Sequence, residues 1–475
     1  MKSFFQLILM FIIATMARVR ERYFSRDRIK KIQSKKLNSL VRYAYKKSPM
    51  YRKLYEGIDI DNLDLQKLPI VNKEYLLRHL SESLTVRGIT KDDIVLFAHD
   101  PDSVGRYFKN KYVLSTTSGT TGIIGYFLIE QWQWIVQKGV EFARLLKHRL
   151  SFHYIFKYTV KTKLRWAMIV ASEGHYITYL IARLTPKQAF YLSDIRIFSI
   201  TNPMNRIVEQ LNEFKPHYVH SYPTFLEALA YEKLAGRLNI DVDFMSSGSE
   251  PFSDRARDII KKAFKDVEVV ETYGTTEAVV LANQCKHGKM HINEDYVVIE
   301  AVDDDNKPVP DGVASKKVLI TNLINKLQPL IRYELRDSVI IDHNYKCECG
   351  SPFATIEIQG RSDDTFYLMT KDGHFRAFPP IPFEALFLRI KGLRQYQLIH
   401  EDQNHLIVRY IAQDSKENDR IETEIRTRFK EFFDSTDVKD NITITIEESG
   451  EITRPPTHQK VRQIFSKVKP PPNIV

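Results

Sequence analysis

Short apolar stretches alternate with helix-like stretches through the middle of the chain, between residues 132 and 271. Apolar spacing predicts helices and strands in turn: helices at 132–147, 205–214, 224–235 and 253–264, and strands at 166–171, 242–245 and 267–271. This alternation indicates parallel strand pairing, because each helix returns the chain to the same end of the sheet. We therefore predict the α/β class, with a large N-terminal domain of mostly parallel, helix-covered sheets.

The pattern changes near residue 295, where strand-like stretches are separated by turns at 303–306 and 310–312. These hairpin-like breaks predict a β-rich subdomain within the large domain. A polar turn at 360–364 and a helix-like stretch at 421–433 then predict a small, mobile α+β domain at the C-terminus. We divide the chain into an apolar and basic N-terminal segment (1–47), a core domain (48–360) and the C-terminal domain (361–475).

Basic residues are concentrated at the start of the chain. The first fifty residues hold thirteen lysines and arginines and only two acids, which accounts for the whole net charge of +11. A basic arm on a neutral body favours local contact with an anionic surface and argues against a nucleic-acid groove. Apolar residues from Ile29 to Ala44 recur at helical spacing, which predicts an amphipathic helix ending by Ser48 with its lysines in solvent.

An apolar run without charged residues extends from Phe4 to Ala17. Fourteen residues are too few for a bilayer span, which needs about twenty. A signal-peptide core, a shallow membrane anchor and a helix packed on the protein itself are all compatible with this run. Because the basic residues follow the run and positive flanks stay in the cytoplasm, we favour an anchor on the inner face of the membrane, with the body in the cytoplasm.

A loop rich in hydroxyl groups lies between two strand-like runs, 112–114 and 123–129. Glycine lets the backbone approach an anion closely, and hydroxyl and amide groups supply donors, so such a loop can wrap phosphate oxygens. It is not a Walker loop, because no Gly-Lys-Ser/Thr follows. The loop consists of Ser115, Thr116, Thr117, Ser118, Gly119, Thr120, Thr121 and Gly122.

Further motifs follow this loop in a fixed order: Ser246 to Glu250, Glu271 to Glu277, Arg332 to Asp337, Gly360 to Asp364, and Lys460 to Arg462. Together they resemble the adenylate-forming acyl ligases. The Arg-Tyr-x-x-Arg-Asp form and the Cys-x-Cys-Gly before the turn at 360 resemble, within that superfamily, the phenylacetate–CoA ligase branch that includes proteins of capsular polysaccharide synthesis. The resemblance covers nearly the whole chain, from Ser48 to Lys460.

The resemblance implies that ATP converts a carboxylate, which has no good leaving group, into an acyl-AMP that then reacts with an acceptor, most simply CoA. Such a reaction brings an anion against a triphosphate and needs charge neutralisation more than acid–base chemistry. Glu277 would bind Mg²⁺, since hard oxygen donors suit a hard ion that bridges phosphates. Thr276 resembles the residue that contacts the adenylate phosphate.

The resemblance also implies an adenosine site. Tyr273 would stack near adenine within the Tyr273-Gly274-Thr275 turn, and Gly248, Ser249 and Glu250 would form the adenine wall. Asp337 resembles the carboxylate that accepts the two ribose hydroxyls, although it could instead pair with Arg336. Arg361 would add a ribose or phosphate contact, or form a salt-bridged turn with Asp363.

Lys460 resembles the lysine that swings in to stabilise charge during adenylation, with Asp363 as the hinge. A lysine in a charge run is commonly solvated, so this assignment rests on the resemblance alone. The chain departs from the family at Gln459, where glycine is usual, and at Ile123, where many relatives carry lysine. Tyr222 lies on the stretch that resembles the wall of the acyl pocket, or it packs in the core.

Three cysteines are too few for a disulfide framework in a chain of this length, which indicates a reducing compartment. Cys285, Cys347 and Cys349 with a histidine form a closed Cys₃His set of the kind that binds structural Zn²⁺. We prefer His291 to His287 as the fourth ligand, because its Gly-x-x-His setting resembles that of the family. A pair of buried, inert cysteines is the alternative.

Three functions stay open from the sequence. The first is an ATP-dependent ligase for a small carboxylic acid, with CoA or another acyl acceptor, acting in envelope polysaccharide synthesis. The second is a nucleotidyltransferase that places AMP on a cofactor hydroxyl. The third, favoured by Ile123 and Gln459, is a non-catalytic nucleotide-binding protein. The acid and the oligomeric state do not follow from the sequence.

Overall fold

The computed structural model describes residues 2–117, 124–146, 163–185, 193–361, 364–452 and 463–471. Short gaps within those ranges fall at 173, 201, 250–251, 253, 266, 365, 372, 374, 379–382, 384–385, 388–389, 437, 440, 451 and 470.

The described helices range from 4 to 22 residues in length. They are α1 (Lys2–Tyr23), α2 (Arg26–Lys47), α3 (Pro49–Leu54), α4 (Lys73–Arg78), α5 (Leu80–Ser83), α6 (Lys91–His99), α7 (Gln131–Leu145), α8 (Ile177–Arg183), α9 (Met204–Phe214), α10 (Pro223–Leu234), α11 (Asp254–Ala263) and α12 (Asn418–Ser435).

The first nine described strands reach residue 292. They are β1 (Tyr112–Thr116), β2 (Tyr126–Glu130), β3 (Leu164–Val170), β4 (Ser193–Ser199), β5 (Tyr218–Ser221), β6 (Phe244–Gly248), β7 (Glu268–Tyr273), β8 (Ala282–Gln284) and β9 (Met290–Ile292). The remaining strands are β10 (Val297–Val302), β11 (Lys317–Asn322), β12 (Tyr333–Leu335), β13 (Asp337–Asp342), β14 (Thr355–Arg361), β15 (Phe366–Met369), β16 (Phe375–Phe378), β17 (Leu393–Asp402), β18 (His405–Ala412), β19 (Thr443–Glu448) and β20 (Ile464–Ser466).

A nine-stranded sheet forms the centre of the large domain, in the order β13-β14-β9-β8-β7-β6-β5-β3-β4. The strands from β4 to β7 pair in parallel, and those from β7 to β13 pair antiparallel. The parallel half agrees with the predicted alternation of strands and helices. The β-rich region contributes two strands, β13 and β14, to this same sheet, so it is continuous with the α/β region.

Helices cover the parallel half on both faces. Helices α9, α10 and α11 bury apolar side chains such as Leu211, Leu226 and Ile260 on one face. Helices α7 and α8 cover the other face through Leu145 and Ala182. The predicted helices and strands are therefore confirmed, with ends shifted by at most three residues; the strand predicted at 242–245 begins at 244.

Two smaller sheets lie beside the large one. Strands β1 and β2 form an antiparallel hairpin, so the hydroxyl-rich loop belongs to a hairpin of its own and not to the edge of the large sheet. Strands β10, β11 and β12 form a three-stranded antiparallel sheet. A shared core joins this sheet to α2 and α3 through Val41, Tyr51 and Ile320, among others.

The C-terminal residues have a separate apolar core. A four-stranded sheet in the order β19-β18-β17-β20 packs against α12, which buries Ile421, Ile425, Phe429 and Phe433. This core begins at Phe366, five residues after β14 ends in the large sheet. Strand β20 pairs in parallel with β17, and it follows directly on the segment 453–462 that carries Lys460.

The N-terminal helices pack on the body. Helix α1 buries Met10, Ala14 and Ala17 against α7, and a Cβ at Gly139 of α7 would lie 2.8 Å from the Met10 carbonyl oxygen. Helix α2 contributes to the core of the large domain, so no structural boundary separates residues 1–47 from it. Among the described residues, none of the helices has the length and apolarity required to cross a membrane.

The prediction that the lysines of α2 all face solvent is wrong for Lys36. Its Nζ atom donates to the Asp295 carbonyl oxygen at 2.6 Å and lies 3.9 Å from the centre of the Tyr296 ring. Burial lowers the pKa of Lys36 to about 8. The sequence did not distinguish this inward-facing lysine from the other basic residues of α2.

Candidate active site

The carboxyl ends of β5, β6 and β7 lie side by side, because these three strands are parallel neighbours. Open α/β sheets bind ligands at this edge. Tyr222 follows β5, Gly248 ends β6, and Tyr273 ends β7. The fold therefore brings together three of the sequence motifs, which follow one another at intervals of about twenty-five residues in the chain.

Gly248 is required by the close approach of two strands. A Cβ at this position would lie 2.8 Å from the Thr272 Oγ1 atom and 2.9 Å from the Thr272 carbonyl oxygen. Ser249 follows with a φ of 71°, a left-handed conformation. The chain thus turns sharply away at the end of β6 and leaves the backbone of Gly248 and Ser249 at the sheet edge.

The Tyr273-Gly274-Thr275-Thr276-Glu277 turn is held by its own backbone. The Thr275 amide donates to the Ala278 carbonyl oxygen at 3.1 Å, and the Ala278 amide donates to the Thr275 Oγ1 atom at 3.1 Å. A Cβ at Gly274 would collide with the Val279 carbonyl oxygen. Glycine is therefore needed for the turn to close, which brings Thr276 and Glu277 back toward β7.

The proposed adenine and ribose residues contact each other. The Tyr273 hydroxyl donates to the Asp337 Oδ2 atom at 2.6 Å. Asp337 begins β13 and lies opposite Arg361, the last residue of β14, in the antiparallel register. The structure thus brings Tyr273, Asp337 and the backbone of Arg361 together at one end of the sheet.

Glu277 is buried, and burial raises the pKa of its carboxyl group. Lys73 opposes this increase and the Asp337 carboxylate adds to it, so both charged groups act on Glu277. The Glu277 carbonyl oxygen accepts a hydrogen bond from Asn322 Nδ2 at 3.2 Å. A buried carboxylate beside a second carboxylate is a suitable setting for a divalent cation.

Lys73 is a residue that the sequence analysis missed. It begins α4 directly after Val71 and Asn72, and Val71 forms backbone hydrogen bonds with Arg332 at 3.1 Å and with Glu334 at 2.9 Å. The strand that leads into Asp337 is thereby joined to the segment that carries Lys73. The sequence did contain a signal for the helix that begins at Lys73, because Asn72 is a favourable N-cap residue.

A buried polar cluster lies on β5 and β6 next to this edge and was also missed. The Ser246 hydroxyl contacts His220 Nδ1 at 2.6 Å, and it also bonds to the Tyr218 hydroxyl. Burial lowers the pKa of His220 to about 4, so this imidazole is neutral near pH 7. The side chains alternate with apolar ones along two strands, which the sequence pattern does not distinguish from ordinary core.

Tyr222 packs within the apolar core beside α10, where it is 2% exposed. Its hydroxyl accepts from the Ala171 amide at 3.3 Å and contacts Thr178 Oγ1 at 3.4 Å. The acyl-pocket role thus stays a prediction for a residue whose polar atom already has protein partners.

For the hydroxyl-rich loop, the structure describes only the residues at its ends. Ser115 and Thr117 end the hairpin: the Ser115 hydroxyl donates to the Phe127 carbonyl oxygen at 3.4 Å, and Thr117 Oγ1 accepts from the Gly125 amide at 2.8 Å. The Thr116 amide donates to the His175 carbonyl oxygen at 2.9 Å. Outside the described residues lie Ser118, Gly119, Thr120, Thr121, Gly122, Ile123, Glu250, Asp363 and Lys460.

A second cluster unites the three cysteines with one histidine. The ligand atoms of Cys285, His291, Cys347 and Cys349 all lie within 4.8 Å of one another. Cys285 and Cys347 Sγ atoms are 3.7 Å apart, and Cys349 Sγ is 3.3 Å from His291 Nε2. His287 is not part of the cluster; its Nδ1 atom instead pairs with the exposed Glu348 carboxylate at 3.3 Å.

The donor set of this cluster fits Zn²⁺. Structural zinc takes four thiolate or imidazole ligands in a tetrahedron, and these four side chains supply that number. His291 Nδ1 lies 3.1 Å from the Phe353 carbonyl oxygen, which orients the ring so that Nε2 faces the cysteines. The cluster connects β9 to the turn before β14, away from Glu277 and Asp337.

Comparison with known proteins identifies related ligases. The chain is 22% identical over 450 residues to a phenylacetate–coenzyme A ligase of Thermus thermophilus, covering 89% of this chain and 92% of the relative. It is 26% identical over 407 residues to a phenylacetate–coenzyme A ligase of Aromatoleum evansii, covering 80% of each. No protein-family model matches the chain.

Solved structures share the fold. The 2-hydroxyisobutyryl-CoA ligase in its postadenylation state, in complex with 2-HIB-AMP, superposes with a TM-score of 0.68 at 18% identity, covering 94% of this chain and 91% of the neighbour. The same enzyme in an open conformation gives a TM-score of 0.56. The mixed α/β domain and the smaller C-terminal α+β domain are thus an arrangement found in such ligases. Similarity along most of the chain to phenylacetate–CoA ligases and a fold shared with the 2-hydroxyisobutyryl-CoA ligase make the adenylate-forming ligases the proteins that this chain resembles.

Proposed function

We propose that this protein activates a small carboxylic acid with ATP through an acyl-AMP and then transfers the acyl group to CoA. The observation that carries the proposal is the Tyr273–Asp337 contact beside buried Glu277, because it brings the predicted adenosine and metal residues to one sheet edge. The homologous phenylacetate–CoA ligases support the same reaction class.

The proposed roles follow from charge and hydrogen-bonding capacity. Asp337 would accept the ribose hydroxyls, and Tyr273 would lie against adenine while it orients Asp337. Glu277 would bind Mg²⁺, with Thr276 next to the adenylate phosphate; a hard cation lowers the cost of ionising a buried carboxyl group. The loop 115–122 would hold the pyrophosphate portion of ATP.

The C-terminal domain completes the proposed site. Lys460 precedes β20, so it belongs to that domain by sequence position. A hinge near Asp363 would let this lysine approach for adenylation and withdraw for CoA, one arrangement for each half-reaction.

We also propose a structural Zn²⁺ held by Cys285, His291, Cys347 and Cys349. The motif forms that resemble the capsular branch support, as a further proposal, a role in envelope polysaccharide synthesis. Contact between residues 1–47 and the inner face of a membrane is a separate proposal, because it rests on the N-terminal helices and not on this site.

ATP–pyrophosphate exchange tests the proposed function. The purified protein is given aryl, fatty, hydroxy and amino acids in turn, and active acids are then incubated with CoA to detect a thioester. We expect exchange with one class of acid, CoA thioester formation, and loss of exchange in Lys460→Ala. A folded protein that exchanges with none of these acids, or that instead transfers AMP to an acceptor hydroxyl, would contradict the proposal.

A further inference from the structure

Helix α1 has two apolar faces, and the described part of the chain covers one of them. Its inner face packs on α7, as described above. On its outer face, Phe5, Ile8, Ile12, Met16 and Val19 recur every three or four residues and are between 39% and 66% exposed. We call these five residues the outer stripe. Residues at this spacing share one side of a helix, so the stripe is continuous along its length.

Buried ion pairs fix α1 to the body. Arg144 of α7, which is 2% exposed, donates to the Ala17 carbonyl oxygen at 2.9 Å, to Glu21 Oε2 at 2.7 Å and to Asp295 Oδ1 at 3.2 Å. Removing one member of such a buried network is costly, since a charge is left unpaired. The outer stripe is therefore presented by a fixed helix and is not a segment that awaits packing.

Helix α2 carries a basic face of its own. Lys30, Lys31, Lys35 and Arg42 line one shallow surface groove along α2. The inner sides of the two helices meet the same loop: Arg20 Nη1 of α1 lies 3.4 Å from Asp295 Oδ2, and Lys36 of α2 donates to the Asp295 carbonyl oxygen. The inward-facing residues of both helices contact one loop. The outward-facing residues of both helices therefore lie on the surface of the same part of the molecule.

We propose that α1 and α2 dock the protein on an anionic lipid surface, with the outer stripe at the level of the acyl chains and the basic face on the headgroups. An amphipathic helix that lies in the interface combines these two features, and it needs apolar area on one side only. Nearby lysines and arginines add attraction to anionic headgroups.

The positive charge of the N-terminal segment favours a lipid surface, rather than a second copy of this chain, as the partner of the outer stripe. The first fifty residues carry the whole net charge of +11, so a symmetric dimer through the outer stripe would bring two strongly basic segments together. An anionic bilayer has the complementary sign. The docking surface is also independent of the proposed acid activation, since it involves neither Glu277 nor Asp337.

Vesicle flotation tests the proposal with the full-length protein. The stripe variant is Phe5→Ser/Ile12→Ser/Met16→Ser, and its control is Leu96→Ser/Val313→Ser/Tyr345→Ser, which changes three exposed apolar residues elsewhere. The charge variant is Lys30→Gln/Lys31→Gln/Lys35→Gln, and its control changes the exposed Lys261, Lys262 and Lys265 to Gln. Vesicles contain phosphatidylcholine alone or mixed with phosphatidylglycerol, and circular dichroism confirms that each variant is folded.

We expect the unmodified protein and both controls to float with the anionic vesicles, and the stripe and charge variants to partition at least about tenfold less. Added salt should weaken binding of the unmodified protein. Equal flotation of the stripe variant, or no flotation of the unmodified protein with anionic vesicles, would overturn the proposal. So would a dimer in sedimentation equilibrium that the stripe variant abolishes, since the stripe would then bind a second copy. Activity in the exchange assay is scored separately, so failure of the docking proposal and failure of the proposed function are distinguishable.

Discussion

At the residue scale, the candidate active site depends on contacts between residues that are far apart in the sequence. Tyr273 and Asp337 are joined by one hydrogen bond between two strands of the large sheet. A hydrogen bond to a charged group contributes roughly 1.5–3 kcal/mol. If Asp337 binds ribose, its orientation by Tyr273 is part of how the site recognises nucleotide.

We expect Tyr273→Phe to raise the KM for ATP about tenfold, because the Asp337 carboxylate loses the donor that orients it while the aromatic face is kept. Kinetics of ATP–pyrophosphate exchange measure this change, and Tyr23→Phe is the control, since Tyr23 is 76% exposed. An unchanged KM in a folded Tyr273→Phe protein would show that this hydrogen bond does not position the nucleotide site.

The Cys₃His cluster gives a second prediction at this scale. We expect the purified protein to contain about one Zn²⁺ per chain, and Cys347→Ser to lose the metal and several degrees of melting temperature. Elemental analysis and thermal unfolding measure the two effects. His287→Gln is the matched control, because His287 lies two residues from Cys285 but outside the cluster. Equal zinc content in the Cys347→Ser and His287→Gln proteins would contradict the assignment of these four residues as zinc ligands.

At the element scale, α1 is fixed to α7 by close backbone packing as well as by ion pairs. Gly139 allows the backbone of α1 to approach α7, and a Cβ there would also lie 3.0 Å from Ile13 Cβ. The apolar run at the N-terminus was predicted from sequence, and so was its helical neighbour α2. The packing on α7 was not predictable, because the run has apolar residues on all sides and nothing in its pattern shows which side is covered.

We expect Gly139→Val to lower the free energy of unfolding by about 2 kcal/mol, since overpacking between two helices forces their backbones apart. Urea denaturation followed by circular dichroism measures this loss. Gly450→Val is the control, because Gly450 has no atom within 4 Å of the position of its Cβ and no positive φ. A loss equal to that of the control would mean that α1 is not held closely against α7.

At the scale of the whole molecule, two domains with separate cores contact each other through charged side chains. Arg394 of β17 lies 3.2 Å from Glu232 of α10, and Arg237 shares the same carboxylate. Within the C-terminal core, His400 is fully buried beside Phe366, with Nδ1 2.9 Å from the Ser466 hydroxyl. Burial lowers the pKa of His400 from 6.5 to about 4.

This lowered pKa makes the stability of the C-terminal domain depend on pH. The unfolded chain takes up a proton near pH 6.5, whereas the folded His400 resists protonation until about pH 4. Stability is therefore complete above pH 6.5 and falls as the pH drops toward 4, by up to about 3 kcal/mol from this residue. Urea unfolding at several pH values measures the slope. His400→Phe should flatten the slope and the exposed His99→Gln should not; equal slopes would exclude His400 as the source.

The order of helices and strands could be predicted from the sequence to a greater extent than the pairing of the strands. Alternating apolar stretches were sufficient to predict β3, β6 and β7 and the helices α7, α9, α10 and α11, because local periodicity determines which residues can be buried. Strands β4 and β5 and helix α8 were not predicted. The antiparallel half of the sheet was not predictable: β14 pairs with β13, which directly precedes it, and also with β9, more than sixty residues earlier in the chain. The motifs likewise predicted Tyr273 and Asp337 as residues of the candidate site, whereas Lys73 joins that site only through the bridge from Val71 to Tyr333.

The shared core of α2, α3 and the three-stranded sheet has a consequence for synthesis on the ribosome. Val41 and Tyr51 pack against residues such as Ile320 and Tyr333, which are translated nearly three hundred residues later. At about 5–20 residues per second, the N-terminal helices wait on the order of tens of seconds for these partners. During that interval the apolar sides of both helices are open to chaperones or to a nearby bilayer. These helices are thus translated long before the strands on which they pack.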